Sequence, residues 1–356
     1  MKKYRDTLLG RIGNVQRVVG RQGLEAALIT RASDIQYLTG LYFEGSVFIA
    51  GRSITPRFMV DSMNYSLAHS RLSGEGICVV NTRGDRVEAL RDALPPRSMK
   101  KIGYQASNVS HLLYLTLARA LRGSELIDSS PCDTARMIKL PSELRHIRHA
   151  ARETLRIWRD VSRKIAPGMT EKEIAALVDL GVRKRGYVNS FETIAASGPN
   201  GAFPHAIPTD RRLKKGECLL VDFGIRSGGY CSDLTRVWSK GRIMRKIRLL
   251  LDHVLTIQST VISMIRPGVQ IRKLLDEVEK YIKNNSLDKH VLHGLGHGLG
   301  LDVHEPPFLS SREKSTVLKS GMVITVEPGL YEEGLGGVRV EDMVLVKAGG
   351  CEVLTR

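Results

Sequence analysis

The chain of 356 residues is long enough for two domains, and with 42% hydrophobic and 26% charged residues its composition is that of a globular protein. The five cysteines are odd in number and show no CxxC spacing, which excludes a disulfide framework or zinc ribbon and favours a reducing compartment. No run approaches the roughly 20 apolar residues of a membrane span, and no signal-peptide core is present. The net charge of +17 comes without an aromatic-and-basic binding signature, so we expect a soluble cytoplasmic protein without a nucleic-acid or membrane partner.

The first part of the chain alternates short apolar runs with segments of helical periodicity. An amphipathic helix is predicted over Leu8–Gly23, and runs such as Ile77–Val80 predict strands. Strands that alternate with helices predict a sheet covered by helices. Potential metal ligands or nucleophiles do not cluster in this part. We therefore predict an α/β domain over residues 1–131 that serves positioning or assembly.

The second part, residues 132–356, contains a repeated pattern. One helix ends at Pro167-Gly168, and Thr170 with Glu173 forms a capping box for the next helix. The same order, helix, Pro-Gly, helix and a His-bearing segment, recurs with Pro267-Gly268. We predict an α+β domain with an internal duplication, in which two equivalent halves face each other across a cleft.

The segment Glu217–Trp238, with the sequence ECLLVDFGIRSGGYCSDLTRVW, predicts a β-hairpin around Ser227-Gly228-Gly229. Asp222 and Asp233 are about equally far from this turn, so their side chains are predicted to lie opposite each other with Cβ atoms about 4.5–5.5 Å apart. Two buried carboxylates at that distance repel each other unless a cation lies between them. The hairpin therefore predicts either a cation site or two exposed aspartates near a turn.

A second carboxylate pair is predicted near the end of the chain. Strands over Met322–Val326 and Val338–Val346 flank a Gly-rich loop, and Glu327 and Glu341 are again about equally far from the loop centre. Between the two pairs lies Val291–Pro307, VLHGLGHGLGLDVHEPP, whose glycines leave imidazoles reachable. Four carboxylates and one histidine suit two divalent ions of intermediate hardness, such as Mn²⁺, Co²⁺ or Zn²⁺. Two such ions about 3.5–4 Å apart share a water, lower its pKa and polarise a carbonyl under attack.

The five residues stand in the motifs VDFG, SDLTR, GHGLG, TVEPG and VRVED, at Asp222, Asp233, His297, Glu327 and Glu341. These motifs resemble those of the pita-bread metallopeptidases, the group that holds methionine aminopeptidase, aminopeptidase P and prolidase. Ser190–Ala206 and the VHEPP motif are similar to the Xaa-Pro branch, and the YLTG motif is similar to the N-terminal domain of creatinase and prolidase relatives. The resemblance covers essentially the whole chain and implies a creatinase-like α/β domain followed by a pita-bread catalytic domain with pseudo-two-fold duplication.

The resemblance implies a role for each motif residue. The implied metal ligands are Asp222 and Asp233 on one ion, Asp233 and Glu341 between the two ions, and His297 and Glu327 on the second. Glu327 would also transfer the proton from the attacking water to the leaving amine. Thr235 would brace Asp233 by a hydrogen bond. We expect two divalent ions, with Mn²⁺ first and Co²⁺ or Zn²⁺ as alternatives.

The remaining implied roles concern the substrate. His205 and His304 would flank the cleft without binding metal and would hydrogen-bond the scissile carbonyl or the oxyanion. Arg339 and Tyr331 would line the substrate pocket or support the carboxylates from behind. His293 is either part of the site or a core histidine.

Two peptidase functions are compatible with these motifs. An Xaa-Pro aminopeptidase cleaves before a proline at the second position of a peptide. A prolidase cleaves Xaa-Pro dipeptides and needs a cation for the free carboxylate of proline. Some prolidases have an arginine four residues after the histidine of the VHE motif, where this chain has Phe308, with Arg312 further on.

Other functions are less compatible with the sequence. A non-catalytic binding module or a creatinase-like hydrolase would not keep the complete ligand set. Methionine aminopeptidase is disfavoured by the additional first domain. We predict a dinuclear-metal Xaa-Pro aminopeptidase, in which a metal-bridging hydroxide attacks the bond before proline, with a prolidase as the alternative. A homodimer is expected from the resemblance.

Overall fold

The computed structural model describes residues 2–94, 99–311 and 315–356, without the side chains of residues 2–7. The chain divides into two compact units, Met1–Arg136 and Met137–Arg356. Within the described ranges, every helix is too short or too polar to cross a membrane.

The first unit is a six-stranded sheet with helices, as the alternating pattern predicts. The strand order is β4-β3-β2-β1-β5-β6, and β2 is antiparallel to both neighbours while the other pairs are parallel. The elements in chain order are α1 (Lys2–Arg21), β1 (Ala26–Ile29), α2 (Ala32–Thr39), β2 (Val47–Gly51), β3 (Ile54–Val60), α3 (Ser62–Leu72), β4 (Cys78–Asn81), α4 (Arg86–Ala93), β5 (Lys101–Tyr104), α5 (His111–Ala120), β6 (Glu125–Asp128) and α6 (Pro131–Met137).

In its described residues, the second unit combines four α-helices with several antiparallel sheets. The elements are α7 (Pro141–Ser162), α8 (Glu171–Lys184), β7 (Val188–Asn189), β8 (Ile194–Ser197), β9 (Leu219–Phe223), β10 (Ile225–Ser227), β11 (Tyr230–Cys231), β12 (Leu234–Trp238), α9 (Arg245–Met264), α10 (Ile271–Asn284), β13 (Gly296–Gly298), β14 (Glu305–Leu309), β15 (Val323–Val326), β16 (Gly329–Glu332), β17 (Gly336–Arg339), β18 (Asp342–Lys347) and β19 (Gly350–Val353). The sheet orders are β12-β9-β8, β14-β13-β15-β18-β19, β11-β10-β7 and β16-β17. The unit has the predicted α+β class.

The two halves of this unit are built alike. Helices α7 and α8 pack on β8, β9 and β12 around one apolar core, and α9 and α10 pack on β15 and β18 around another. Helix α8 begins with the predicted capping box, in which Thr170 Oγ1 accepts from Glu173 N–H and Glu173 accepts from Thr170 N–H. Burial of each aliphatic side chain in these cores stabilises the fold by about 1.5–3 kcal/mol.

The two Pro-Gly junctions share one backbone pattern. Gly168 N–H donates to Leu213 O at 2.8 Å, and Gly268 N–H donates to Leu318 O at 2.9 Å. The next residues form equivalent isolated bridges, Thr170 with Arg212 and Gln270 with Val317. The structure therefore contains the internal duplication that the spacing of the Pro-Gly pairs predicts.

The central hairpin places the residue opposite Asp222 two positions later in the chain than the sequence predicts. Its turn is formed by Gly228 and Gly229, whose φ angles of 58° and 86° are those that a two-residue hairpin turn requires. The resulting register places Thr235 opposite Asp222. Asp233 precedes β12 and lies two residues before Thr235, so it is the diagonal neighbour of Asp222 on the same face. The two aspartates share a face, as predicted, but they do not form a directly opposed pair.

The last hairpin has the predicted symmetry. Strands β15 and β18 pair Val326 with Asp342, and β16 and β17 continue the same register after a short interruption. Continued by one residue from β15, this register brings Glu327 opposite Glu341. Each half of the second unit thus contributes two carboxylates from one hairpin.

Candidate metal centre and active site

A cavity of about 610 Å³ in the second unit collects the carboxylates of both hairpins. All five predicted metal ligands line it: Asp222, Asp233, His297, Glu327 and Glu341. The carboxylates come from β9, from the residue before β12, from the end of β15 and from the residue before β18, while the imidazole comes from the short strand β13. The duplication therefore brings residues of both halves to one place.

The closest group in this cavity consists of Asp233, His297 and Glu341, whose ligand-type atoms lie within 4.8 Å of one another. His297 Nε2 is 3.7 Å from Asp233 Oδ2 and 3.2 Å from Glu327 Oε1. On the other side of the ring, Nδ1 lies 3.1 Å from Gly298 O. Because a carbonyl only accepts, Nδ1 holds a proton and Nε2 faces the carboxylates.

Three buried oxygens of the cavity have no hydrogen-bond partner among the described residues, namely Asp222 Oδ1, Asp233 Oδ1 and Glu341 Oε1. Buried polar atoms are normally paired, so these three oxygens require a partner that the described residues do not supply. Burial and then the neighbouring carboxylates raise the pKa of Asp233 and of Glu341 well above their ordinary values. Carboxylate and imidazole donors with unused lone pairs fit divalent cations.

Glu327 behaves differently from the other carboxyl groups. Burial acts to raise its pKa, but the hydrogen bond and charge of His297, together with the charges of His293 and Arg339, outweigh burial and lower the pKa to about 2. The same contact raises the pKa of His297 against the opposing effect of burial. Glu327 is therefore a carboxylate whose ionised form is stabilised by its contact with the imidazole of His297.

Arg339 connects the carboxylates to the wall of the cavity. The residue is 3% exposed, and its Nη2 donates to Asp222 Oδ2 at 2.6 Å. Nε donates to Thr235 Oγ1 at 3.1 Å, and Nη1 donates to Tyr331 Oη at 2.8 Å. This buried cation offsets part of the negative charge of the four acids and fixes the orientation of Asp222.

Thr235 and Tyr331 lie in places that the sequence did not fully predict. Thr235 Oγ1 donates to Glu341 Oε2 at 2.8 Å, so the expected hydrogen bond to Asp233 is wrong. Tyr331 is absent from the described cavity lining and lies behind it, where its hydroxyl contacts His293 Nε2 at 2.8 Å. Tyr331 therefore supports Arg339 and His293 from behind, the second of the two roles considered for it.

His205, His293 and His304 line the same cavity, outside the closest three-residue group. The rings of His304 and His297 are 4.3 Å apart in a T-shaped arrangement. Burial, and then the charge of His297, lower the pKa of His304. A neutral imidazole at the rim offers an N–H donor to a carbonyl oxygen inside the cavity.

Several residues of this region were missed by the sequence analysis. The cavity wall includes the segment from Phe191 to Ile194. Next to His304, the buried Glu305 forms an ion pair of 2.7 Å with the buried Lys139. The glutamate of VHEPP is a visible signal in the sequence, whereas Lys139 is 166 positions away and has none.

The position four residues after His304 is apolar. Phe308 lines the cavity and is 39% exposed. Arg312, the other residue considered for holding a free carboxylate, lies outside the described residues. The described cation nearest the carboxylates, Arg339, is bound to Asp222 and Tyr331.

Comparisons with known proteins agree with this geometry. A family model for metallopeptidase family M24 matches residues 145–348, and a model for the creatinase/prolidase N-terminal domain matches residues 11–138. Among solved structures, the Xaa-Pro dipeptidase from Bacillus anthracis superposes with a TM-score of 0.91 at 28% identity and covers 98% of each chain. The X-Pro aminopeptidase from Thermotoga maritima gives a TM-score of 0.82 at 30% identity, over 96% of this chain and 97% of its own.

A curated relative, the Xaa-Pro dipeptidase of Pyrococcus horikoshii, is 27% identical over 99% of this chain and 98% of its own length. These matches confirm the resemblance recognised from the motifs, including the pita-bread fold of the catalytic domain. The first family model alone covers more than half of the chain. The protein therefore belongs to metallopeptidase family M24 and has a creatinase/prolidase N-terminal domain.

Proposed function

We propose that the protein is a dinuclear-metal Xaa-Pro aminopeptidase, which releases the N-terminal residue of peptides with proline at the second position. The observation that carries the proposal is the convergence of four carboxylates and one imidazole in one cavity, with three oxygens that have no described partner. The printed names of the similar proteins, which include Xaa-Pro dipeptidases and an X-Pro aminopeptidase, support the preference for proline.

The choice of aminopeptidase rests on the distal wall of the cavity. A dipeptidase must hold the free carboxylate of proline, which calls for a cation. Phe308 is apolar and partly exposed where some prolidases have arginine, and the guanidinium of Arg339 is already bound to Asp222. The wall is therefore better suited to a peptide that continues beyond proline. A dipeptidase is the second candidate, favoured by the names of two of the similar proteins.

Two divalent ions would be held by Asp222, Asp233, His297, Glu327 and Glu341. When bound, the ions supply Lewis acidity that polarises the scissile carbonyl and increases the acidity of water. We propose Mn²⁺ as the metal, with Co²⁺ or Zn²⁺ as alternatives that the same donors accept. We also propose that the enzyme is a cytoplasmic homodimer.

The residues of this chain would divide the chemistry as follows. Glu327 accepts a proton from the attacking water and delivers it to the proline nitrogen as the carbonyl carbon–nitrogen bond breaks. His205 and His304 donate hydrogen bonds to the carbonyl oxygen, which gains negative charge during the attack. Arg339 keeps Asp222 oriented, and Tyr331 keeps Arg339 in place. Proline provides no N–H in this bond, so recognition depends on contacts to its ring.

The proposal is tested by measuring amino-acid release from an Xaa-Pro dipeptide and an Xaa-Pro-Yaa tripeptide after loading with Mn²⁺. We expect cleavage mainly of the tripeptide. Cleavage of the dipeptide alone would establish a prolidase. If neither peptide is cut with Mn²⁺, Co²⁺ or Zn²⁺, the proposed function is wrong and a binding module becomes the better interpretation.

A further inference from the structure

The segment of residues 198–208, termed the wall, lines the cavity with its second part, residues 204–208, which includes Pro204, His205 and the 79% exposed Ile207. After a 3₁₀ turn at Gly198–Ala202, this wall has no regular secondary structure up to residue 208. An irregular segment holds a side chain in place only if other contacts fix its ends. Both ends of the wall meet a single side chain outside the site, that of Glu171.

Glu171 is the first residue of α8, and it is completely buried. Its Oε1 accepts hydrogen bonds from the N–H and hydroxyl of Ser197, at 2.7 and 2.9 Å. Its Oε2 accepts from the N–H and hydroxyl of Thr209, at 3.1 and 2.6 Å. The amide nitrogen of Asn200, inside the segment, donates to both oxygens at 3.2 and 3.0 Å. One carboxylate therefore ties the beginning, the interior and the end of the wall together.

The chemistry of these contacts requires a carboxylate. The N–H, hydroxyl and amide groups of Ser197, Asn200 and Thr209 donate to Glu171, and an ionised carboxylate is an acceptor at both oxygens. A glutamine of nearly the same shape would direct an NH₂ group at some of these donors. Replacing one oxygen would therefore release one end of the wall while leaving the helix itself unchanged.

The duplicated half serves as an internal comparison. Glu171 N–H donates to Arg211 O at 3.1 Å, and Ile271 N–H, at the equivalent place in α10, donates to Thr316 O at 2.9 Å. Ile271 is buried and apolar. The Pro-Gly junction and its helix thus form with an apolar side chain at this position, so the fold of the junction does not demand the carboxylate of Glu171.

The wall is also joined to the carboxylate cluster. Pro204 O accepts a hydrogen bond from Arg339 Nη1 at 3.3 Å, and the same guanidinium holds Asp222. We propose that Glu171 is a positioning residue, which holds residues 198–208 so that His205 faces the reacting carbonyl. Its kinetic consequence rests on the proposed function, whereas its effect on the wall does not.

The test compares Glu171→Gln with a matched variant in the same helical turn, Glu173→Gln. The side chain of Glu173 accepts from Thr170 N–H at 2.7 Å, a role that glutamine also fills. For Glu171→Gln we expect faster hydrogen–deuterium exchange over residues 198–208 and unchanged exchange over residues 174–184. We also expect kcat for an Xaa-Pro tripeptide to fall by about tenfold or more at unchanged metal content, because small misplacements of reacting groups are costly. Glu173→Gln should change neither quantity.

Unchanged exchange over residues 198–208 in folded Glu171→Gln would overturn the proposal. So would a kcat equal to that of the unmutated enzyme, since a purely structural glutamate would lower only the unfolding temperature. If the unmutated enzyme cleaves no Xaa-Pro peptide, the proposed function fails and the exchange measurement decides on the wall alone. If Glu171→Gln does not fold, Thr209→Val is the second variant, because it removes one hydroxyl contact to Glu171. It should show the same faster exchange over residues 198–208 to a smaller extent. Unchanged exchange in Thr209→Val would also overturn the proposal.

Discussion

The guanidinium of Arg339 lies 2.6 Å from Asp222 Oδ2 in an ion pair that is almost entirely buried. Another nitrogen of the same guanidinium, Nη1, donates to Tyr331 Oη, and this hydroxyl contacts His293, which lines the cavity. The charge of the guanidinium pairs with the carboxylate of Asp222, and its planar shape lets its nitrogens donate to groups in different directions. Asp222 therefore has one oxygen held by Arg339 and one oxygen with no described partner.

We expect Arg339→Lys to lower metal affinity or kcat/KM by about 10- to 100-fold, the usual effect of removing a group that orients a metal ligand. Lysine keeps the charge but does not reproduce the four directed hydrogen bonds of the guanidinium. Calorimetric titration with Mn²⁺ and peptide hydrolysis measure the two quantities. Arg248→Lys, in an exposed pair with Asp252, is the control and should match the unmutated protein. Unchanged affinity and activity in Arg339→Lys would refute the orienting role.

Asp233→Asn should abolish activity while the fold is retained. Asparagine keeps the shape of the side chain but removes the negative charge from the centre of the ligand group. In the metal-free protein, the loss of repulsion from Glu341 should leave the unfolding temperature equal or higher. Circular dichroism and peptide hydrolysis with excess metal are the measurements. An active Asp233→Asn enzyme would disprove the ligand assignment.

Metal binding should stabilise the protein against heat. A ligand that binds only the folded state at 100 times its Kd adds about 2.7 kcal/mol of stability, so Mn²⁺ should raise the unfolding temperature of chelator-treated protein. His297→Ala should reduce this shift strongly. His253→Ala, whose ring contacts Tyr281 away from the cavity, should retain it. An equal shift in both variants would show that the metal binds elsewhere.

Lys139→Met should destabilise the protein by about 3–5 kcal/mol, because it removes the ammonium from a buried carboxylate. The ion pair with Glu305 is 2.7 Å long and both side chains are buried. The double variant with Glu305→Gln should recover part of the loss. Urea unfolding measures each step, with Lys172→Met, from an exposed pair, expected within about 1 kcal/mol of the unmutated protein. A loss below about 1 kcal/mol for Lys139→Met would contradict the prediction.

The metal-binding motifs could be recognised from sequence because each candidate ligand stands near a strand end within a short, distinctive motif. The Pro-Gly spacing likewise predicted the duplication, since it depends on local helix endings. The hairpin register was misplaced because the turn contains two residues, Gly228 and Gly229, whereas the sequence suggested a centre at Gly228. Asp222 therefore pairs with Thr235, two residues after Asp233.

Contacts between distant segments could not be predicted. Thr235 was expected to contact a neighbour in its own hairpin, but it donates to Glu341, 106 positions away. Glu171 is an acid in the first turn of a helix, where a favourable interaction with the helix dipole is a sufficient explanation. Nothing in the local sequence indicates that its carboxylate contacts residues 26 to 38 positions later.

The duplication has a consequence for how the enzyme becomes functional during synthesis. The first hairpin supplies only half of the carboxylates, and the remaining ligands follow later in the chain. A nascent or truncated chain that ends before β15 would have no high-affinity place for the ions, since too few donors would be present. Metal binding therefore requires both halves to be complete. It joins chain segments more than a hundred residues apart, and this closure costs conformational entropy until both hairpins have folded.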